Sequence, residues 1–404
     1  MMHEALNGLK VIEYGNMVSA PYCAKLLAGL GAEVIKIEVP GSGDKSRHHG
    51  PFPDDIPDLE KSGLFLSLNT NKLGITLNLD KIKGINILKK LIEDADVFVE
   101  NNAPETITKF GITYDELAKI NPKLIMVSIT PFGQSGPYKD YKAYDINCCA
   151  SGGVSVGIGE PEREPLTLPL MQGGYQAGVS AAIGVMTALL ACRKTGEGQY
   201  IDISEVEVLA TLHMAQNILT FLYRGITGIR RGVHGGYFLY PCSILPCKDG
   251  YVSLIAPQKE QWERFLDLMG NPSWAEDPRY QDRRAMNEQY PDEADELIIP
   301  WLKSYTKEEI FQLAQKNRIP IAPVYDIGEL VDHPNLEQRN FFTEIDHPRA
   351  GRLRYPEGPC IFSETNWNTK RYAPLLGQDN EEILCERLGY SRGELSILKS
   401  EGVI

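Results

Sequence analysis

The sequence predicts an α/β protein with a doubly wound, mostly parallel sheet and a second, smaller unit. Three observations predict it. Short apolar strands alternate with helical stretches from Leu9 to Ser204, which is the pattern of right-handed β-α-β crossovers. The texture then changes at Gly225, where a Gly- and Arg-rich stretch runs to Gly236 and reads as a linker. Finally, the chain has 404 residues, whereas a single core stops growing at roughly 250–300.

The elements follow in order. Leu9–Glu13 is an apolar strand, Ala20–Leu30 has helical periodicity, and Glu33–Glu38 is a second strand. A Pro-, Gly- and Asp-rich loop covers Pro40–Lys61. Asn69-Thr70-Asn71-Lys72 reads as a polar turn between two apolar runs within Leu64–Leu79. Gly84–Asp94 is an amphipathic helix and Val97–Glu100 a strand. Tyr114–Ile120 is a helix and Leu124–Ile129 a strand. Leu166–Gln199 holds a glycine turn, Gly173-Gly174, leading into a helix rich in small residues. Tyr200–Ser204 is a strand, and Ser204 is placed to cap a helix reaching Tyr223. The smaller unit opens with strand Tyr251–Ile255 and continues through helices at Gln261–Met269, Asp292–Tyr305 and Lys307–Lys316. Ile321–Val324 closes it. The tail from Val331 is loop-rich, with a helix near Glu381–Leu388. The resulting domains are residues 1–224, 225–330 and a return segment, 331–404.

Composition narrows the function. The net charge of −13 argues against nucleic-acid binding, which normally needs a basic face. It leaves room for an anionic ligand at a locally positive site. The N-terminus lacks a cationic stretch followed by an apolar one, and no apolar run comes near a membrane span, so a cytoplasmic protein is expected. The eight cysteines form no CxxC pair and no zinc-spaced Cys/His cluster, which predicts reduced thiols and no metal site.

Individual residues give little chemistry by themselves. The turn after the first strand, Gly15–Ser19, is not GxGxxG, and no GxSxG elbow is present. His234 among glycines is a candidate base that lacks sequence-visible partners. His48-His49 reads as a solvated loop pair. Asp145 suits a helix cap or turn better than catalysis. Arg230-Arg231 is either a phosphate-binding pair or an exposed linker. Glycines fill the strand–turn–helix junction at Gly173-Gly174, where an α/β enzyme often places a reactive group.

Several ordered stretches together resemble the class III CoA-transferases, the family of formyl-CoA transferase and carnitine CoA-transferase. They are LNGLKVIEYG, GLGAEVIKIEVPGSGD, LNTNK, VENNAPETITKFGI, INPKLIMVSITPFGQSGPY and RKTGEGQ. DGYVSL with Gln261-Trp262, RIPIAPV and PLLGQ extend the match toward the C-terminus. The resemblance implies a Rossmann-like large domain, built from the N-terminal half and the tail, with a smaller α+β domain inserted. It also implies two interlocked subunits.

The implied reaction moves CoA from an acyl-CoA to a free carboxylate. An Asp attacks the thioester to give a mixed anhydride, splitting one hard exchange into easier steps. Backbone N–H groups of a glycine loop would steady the oxyanion. The resemblance places that Asp four residues before Gly178, which here is Gly174. No Asp or Glu occurs between Glu164 and Glu197. The related racemases pair that Asp with a His just before an Asp-Ile-Asn run, and here that position is Tyr144. Arg residues expected at the CoA site are replaced by Val39 and Leu73, and an aromatic–basic pair by Asn102-Ala103. Met17, Val18, Lys72, Asn101 and Lys142 match CoA-contacting positions. CoA or acyl-CoA would be a substrate, with no covalently bound cofactor.

The expectation is therefore an Asp-lacking subunit of a heteromeric CoA-transferase, such as succinyl-CoA:(R)-benzylsuccinate CoA-transferase of anaerobic aromatic degradation. Its partner would be an Asp-bearing paralogue, with no nucleic acid or membrane involved. Two alternatives stand beside it. One is a homodimeric acyl-CoA racemase, isomerase or lyase using Tyr175, Gln172 or Asp145. The other is a non-enzymatic acyl-CoA-binding protein.

Overall fold

The computed structural model describes residues 4–227, 230–235 and 239–404, so part of the expected linker Gly225–Gly236 lies outside the described residues. The chain packs as two compact units. The large one comprises everything up to Val154, Thr167–Arg224 and Glu337–Ile404; the small one comprises Ser155–Leu166 and Gly225–Leu336. Ser155–Leu166, which the sequence reading left in the large domain, clusters with the small unit, and the return begins at Glu337 rather than Val331.

The large unit is built on six parallel strands: β1 (Lys10–Tyr14), β2 (Glu33–Glu38), β3 (Lys72–Thr76), β4 (Val97–Glu100), β5 (Ile125–Thr130) and β6 (Tyr200–Ser204). Their spatial order is β3-β2-β1-β4-β5-β6. The order reverses between β1 and β4, so a crevice opens beyond the carboxyl ends of those two strands.

Successive residues on a strand face opposite sides of the sheet, and both sides are apolar here. Ile12, Phe98 and Met126 pack with α3 (Ile82–Ile92), which follows α1 (Ser19–Gly29) and α2 (Gly63–Leu68) in the chain. The short helices α4 (Pro104–Phe110) and α5 (Tyr114–Leu117) cover the same side. Val11, Val97, Val99 and Val127 pack on the opposite side with α1 and with α7 (Gln172–Thr195), which follows α6 (Asp145–Ser151). α8 (Glu205–Arg224) begins where β6 ends, and Ser204 Oγ accepts from the Glu207 N–H at 3.3 Å.

Helix α7 corrects two expectations. Gly173 and Gly174 lie in its first turn, not in a turn before it; the left-handed residues preceding the helix are Leu170 and Met171. The helix is also long and apolar enough to cross a membrane, although the sequence showed no continuous apolar run of that length. Ala177, Ala181, Val185 and Ala188 instead bury it against the sheet. At Gly178 an added Cβ would sit 2.7 Å from the Ser19 carbonyl oxygen, so only glycine lets α7 approach α1 this closely.

The small unit has an antiparallel sheet of β7 (Cys242–Pro246), β8 (Tyr251–Ile255) and β9 (Ile321–Pro323). Helices Lys259–Leu268, Pro291–Leu302 and Lys307–Lys316 pack Trp262, Phe265, Ile298 and Ile310 into its core. The returning tail is less loop-rich than expected. It forms the hairpin β10 (Phe342–His347) and β11 (Gly351–Pro356), a π-helical turn at Glu382–Arg387 and a helix at Arg392–Ser400.

Candidate active site

Four of the residues singled out by resemblance lie around the carboxyl ends of β1, β2 and β4. After β1 the chain turns sharply through Asn16 and Met17, the latter at φ +60°. Asn101 holds that turn from the end of β4. Its Oδ1 accepts from Asn16 N–H at 2.8 Å, and its Nδ2 donates to Asn16 O at 2.7 Å and Ser19 Oγ at 3.0 Å. Met17 N–H donates to Asp44 Oδ1 at 2.9 Å, and Val18 is buried behind it. The first turn of α1 follows with no side-chain cap, leaving leading N–H groups that favour an anion. Val39, where the resemblance leads one to expect Arg, is exposed just past β2.

Lys72 is the correction within this set. It is fully buried at the start of β3, and its Nζ donates to Glu13 Oε2 (2.7 Å), Pro21 O (2.8 Å) and Asn69 Oδ1 (2.8 Å). With three partners its ammonium is spent inside the fold and does not reach a CoA phosphate. Burial holds its pKa down to about 8 despite Glu13. Lys36 joins the same cluster through Glu13 Oε1 and Asp44 Oδ2, both at 2.7 Å. Burial opposes its charge, but Asp44 and Glu13 raise its pKa above the ordinary lysine value. Burial likewise opposes ionisation of Asp44, yet Lys36 and the Ser46 and Met17 amides keep its pKa below the usual carboxylate value. This network makes the floor under the Met17 turn rigid. Lys142 is exposed in the segment leading to α6.

Position 174 carries no nucleophile. A Cβ added to Gly174 would stand 3.2 Å from Val18 Cβ, so the space for a side chain is already narrowed. A carboxylate from another element occupies the helix terminus. Asp145, at the start of α6, accepts from Gly173 N–H at 2.7 Å and Gly174 N–H at 3.3 Å through Oδ1. The cap role read for Asp145 is therefore real, but it caps α7 across the structure. A negative charge on these orphan amides is favourable.

A second carboxylate was missed in the sequence. Glu205, at the start of α8, lies beside Cys148 and Ser19, whose side chains favour its ionised form. Burial and the nearby Asp145 push its pKa up. Nothing in the sequence marks it, because its neighbours come from α1 and α6. Cys148 and Cys149 are buried free thiols. Burial, then Glu205, raises the Cys148 pKa, so no thiolate nucleophile is poised here.

The remaining candidates lie elsewhere. His48 and His49 contact backbone carbonyls of Ser42 and Lys45. Arg230 does not present itself to a phosphate. It donates to the carbonyls of Glu160, Pro161 and Arg163, fastening that segment inside the small unit. His234 has partners that its sequence context concealed: Nε2 lies 3.3 Å from Asp292 Oδ1 and 3.4 Å from Asp295 Oδ2. These three side chains are the group that could hold a metal among the described residues. Tyr240 OH donates to the other Asp295 oxygen at 2.7 Å, and His234 Nε2 lies at hydrogen-bond distance from Asp292.

Known proteins place this geometry. The chain is 31% identical to the formyl-CoA:oxalate CoA-transferase of Afipia carboxidovorans, over 100% of this chain and 98% of that protein. It is 32% identical to the succinyl-CoA–L-malate CoA-transferase beta subunit of Chloroflexus aurantiacus, over 99% of this chain and 98% of that one. The fold matches the crystal structure of a CAIB/BAIF family protein from Brucella suis with a TM-score of 0.85 and 27% identity, over 95% of this chain and 99% of that one. A family model, CoA-transferase family III, matches residues 6–380. With a Rossmann-type sheet whose order reverses between β1 and β4 and relatives spanning its full length, the chain belongs to CoA-transferase family III.

Proposed function

We propose that this chain is the non-catalytic subunit of a heteromeric CoA-transferase that moves CoA from an acyl-CoA such as succinyl-CoA to a carboxylic acid, with (R)-benzylsuccinate as the candidate acceptor. The observation that carries this is the first turn of α7. Gly174 fills the position that the family resemblance assigns to the reacting carboxylate, and Asp145 caps the amides beside it. Two further observations support a partner chain. Along the 20 residues of α8, Leu209 alone is buried, while Leu212, Leu219, Phe221, Leu222 and Tyr223 are exposed. An apolar face of that extent normally marks an interface. A relative that is 32% identical carries the designation beta subunit.

In this reading the partner's Asp attacks the thioester carbonyl and releases CoA thiolate. This chain supplies half of the framework and its own modified crevice. The protein would work in the cytoplasm. The test is a CoA-transfer assay with succinyl-CoA and benzylsuccinate, run on the purified chain alone and after co-expression with an Asp-bearing paralogue. Turnover by the mixture only supports the proposal; full turnover by this chain alone overturns it.

A second reading has one observation in its favour. Asp145 and the pKa-raised Glu205 approach each other beside Gly174. Two carboxyl groups in unequal environments are suited to acid–base work, as in an acyl-CoA isomerase. Exchange of solvent deuterium into an acyl-CoA by the chain alone would favour that reading.

A further inference from the structure

A cleft of about 260 Å³ lies within the large unit. Tyr22 and Lys25 of α1 line it, with Tyr175 of α7, Phe341, Glu357 and Trp367. Tyr175 directly follows Gly174, and its ring meets Tyr22 edge-to-face with centroids 4.9 Å apart. The wall shared by the two aromatic rings thus adjoins the emptied nucleophile position.

Lys25 is the anomaly in this cleft. Four Lys or Arg side chains are buried in the large unit: Lys25, Lys36, Arg47 and Lys72. Lys36, Arg47 and Lys72 each form an ion pair at 2.7 Å with at least one carboxylate. Lys25 is only 7% exposed, yet among the described residues it forms no ion pair. Its hydrogen bond goes to the Ser67 carbonyl at 2.6 Å. An ammonium has three donors, so two remain for another acceptor. Burial pulls its pKa to about 8, and Glu357 pushes the other way from beyond ion-pair distance. Glu357 itself accepts from Thr369 Oγ1 at 2.8 Å. Tyr22 and Tyr175 are the other titratable groups facing the amine, and burial raises both of their pKa values, keeping them neutral. A buried cation without a counter-ion is strongly unfavourable unless something completes it. An aromatic cleft around such a cation suits an organic anion with an apolar body.

We infer that this cleft binds a small carboxylate with an apolar body, its carboxylate paired with Lys25 and its body packed on Tyr22, Tyr175, Phe341 and Trp367. Assigning this ligand to the CoA exchange rests on the subunit reading above; the binding itself does not. The carboxylate can come from a free acid or from the free end of an acyl-CoA such as succinyl-CoA.

The test is calorimetric titration of the full chain with 3-phenylpropionate, 3-phenylpropionamide, succinyl-CoA and acetyl-CoA. The expected result is that at least one carboxylate probe binds 10-fold or more tightly than its uncharged counterpart. Lys25→Met then weakens that probe 10-fold or more and leaves the counterpart unchanged. Discrimination on the phenylpropionate pair identifies a free acid as the source, and discrimination on the CoA pair identifies a thioester. Affinity for the carboxylate should fall between pH 7 and pH 9 as the amine deprotonates. Thermal melting provides the folding control: Lys25→Met should melt no lower than the parent, because it removes an uncompensated charge. Absence of binding by every probe, equal binding within both pairs, or unchanged binding by Lys25→Met overturns the inference. None of these readouts needs turnover. A chain active alone would therefore remove the subunit reading and leave the cleft standing, and loss of the Lys25 effect would do the reverse.

Discussion

Asp145 shows how a single residue reorganises a site. Its carboxylate sits on the two amides that open α7, so it stabilises the helix and blocks the position next to Gly174. Asp145→Ala should lower stability by about 1–2 kcal/mol, the usual value of a charged N-terminal cap, measurable by urea unfolding. Gly174→Asp should give no transfer activity in the isolated chain, because Val18 crowds the new side chain and Asp145 holds the amides. Glu100, fully buried at the end of β4, predicts a pH effect. Burial pushes its pKa to about 7 from an ordinary 4.5. The folded state then keeps a proton that the unfolded state has lost between those values, so stability falls as pH rises through that window. The full loss is on the order of 3 kcal/mol. Glu100→Gln should flatten unfolding curves compared at pH 5 and pH 8. This carboxyl was invisible in the sequence, where VFVE reads only as a strand.

Regular elements were the legible part of the chain, and their breaks mark long-range contacts. β2, β4, β8 and the helix Lys307–Lys316 fall where periodicity placed them. β3 does not, because its sequence, KLGIT, opens with a charge and contains a glycine. The charge is satisfied by Glu13. The glycine is required because a Cβ there would meet Pro374 at 2.7 Å, a partner about 300 residues away in sequence. The hairpin β10–β11 was missed because alternation along FTEIDH and GRLRYP is weak and half-exposed. α8 was legible as a helix, but its uncovered face needed the fold. Leu219→Glu with Leu222→Glu should release this chain from the proposed partner subunit in size-exclusion chromatography with light scattering. Because both side chains are exposed, the melting temperature of the isolated chain should barely change.

At the scale of the whole molecule, the reversal point of the sheet carries the account. The family resemblance led to the crevice between β1 and β4, and Asn101, Met17 and Val18 stand at it. The same resemblance could not separate a lysine facing ligand from one locked beneath the crevice. That distinction depends on Glu13, which bonds Lys36 and Lys72 together. Breaking a buried ion network leaves charges uncompensated. Glu13→Ala should therefore destabilise the large unit by about 3–5 kcal/mol, read by urea unfolding. This chain is proposed to keep the framework of a CoA-transferase without performing its covalent step. The most direct test uses the co-purified complex, incubated with succinyl-CoA and hydroxylamine and analysed by peptide mass spectrometry. A hydroxamate should form on an Asp of the paralogous subunit and none on this chain. A hydroxamate on Asp145 or Glu205 would contradict the proposal.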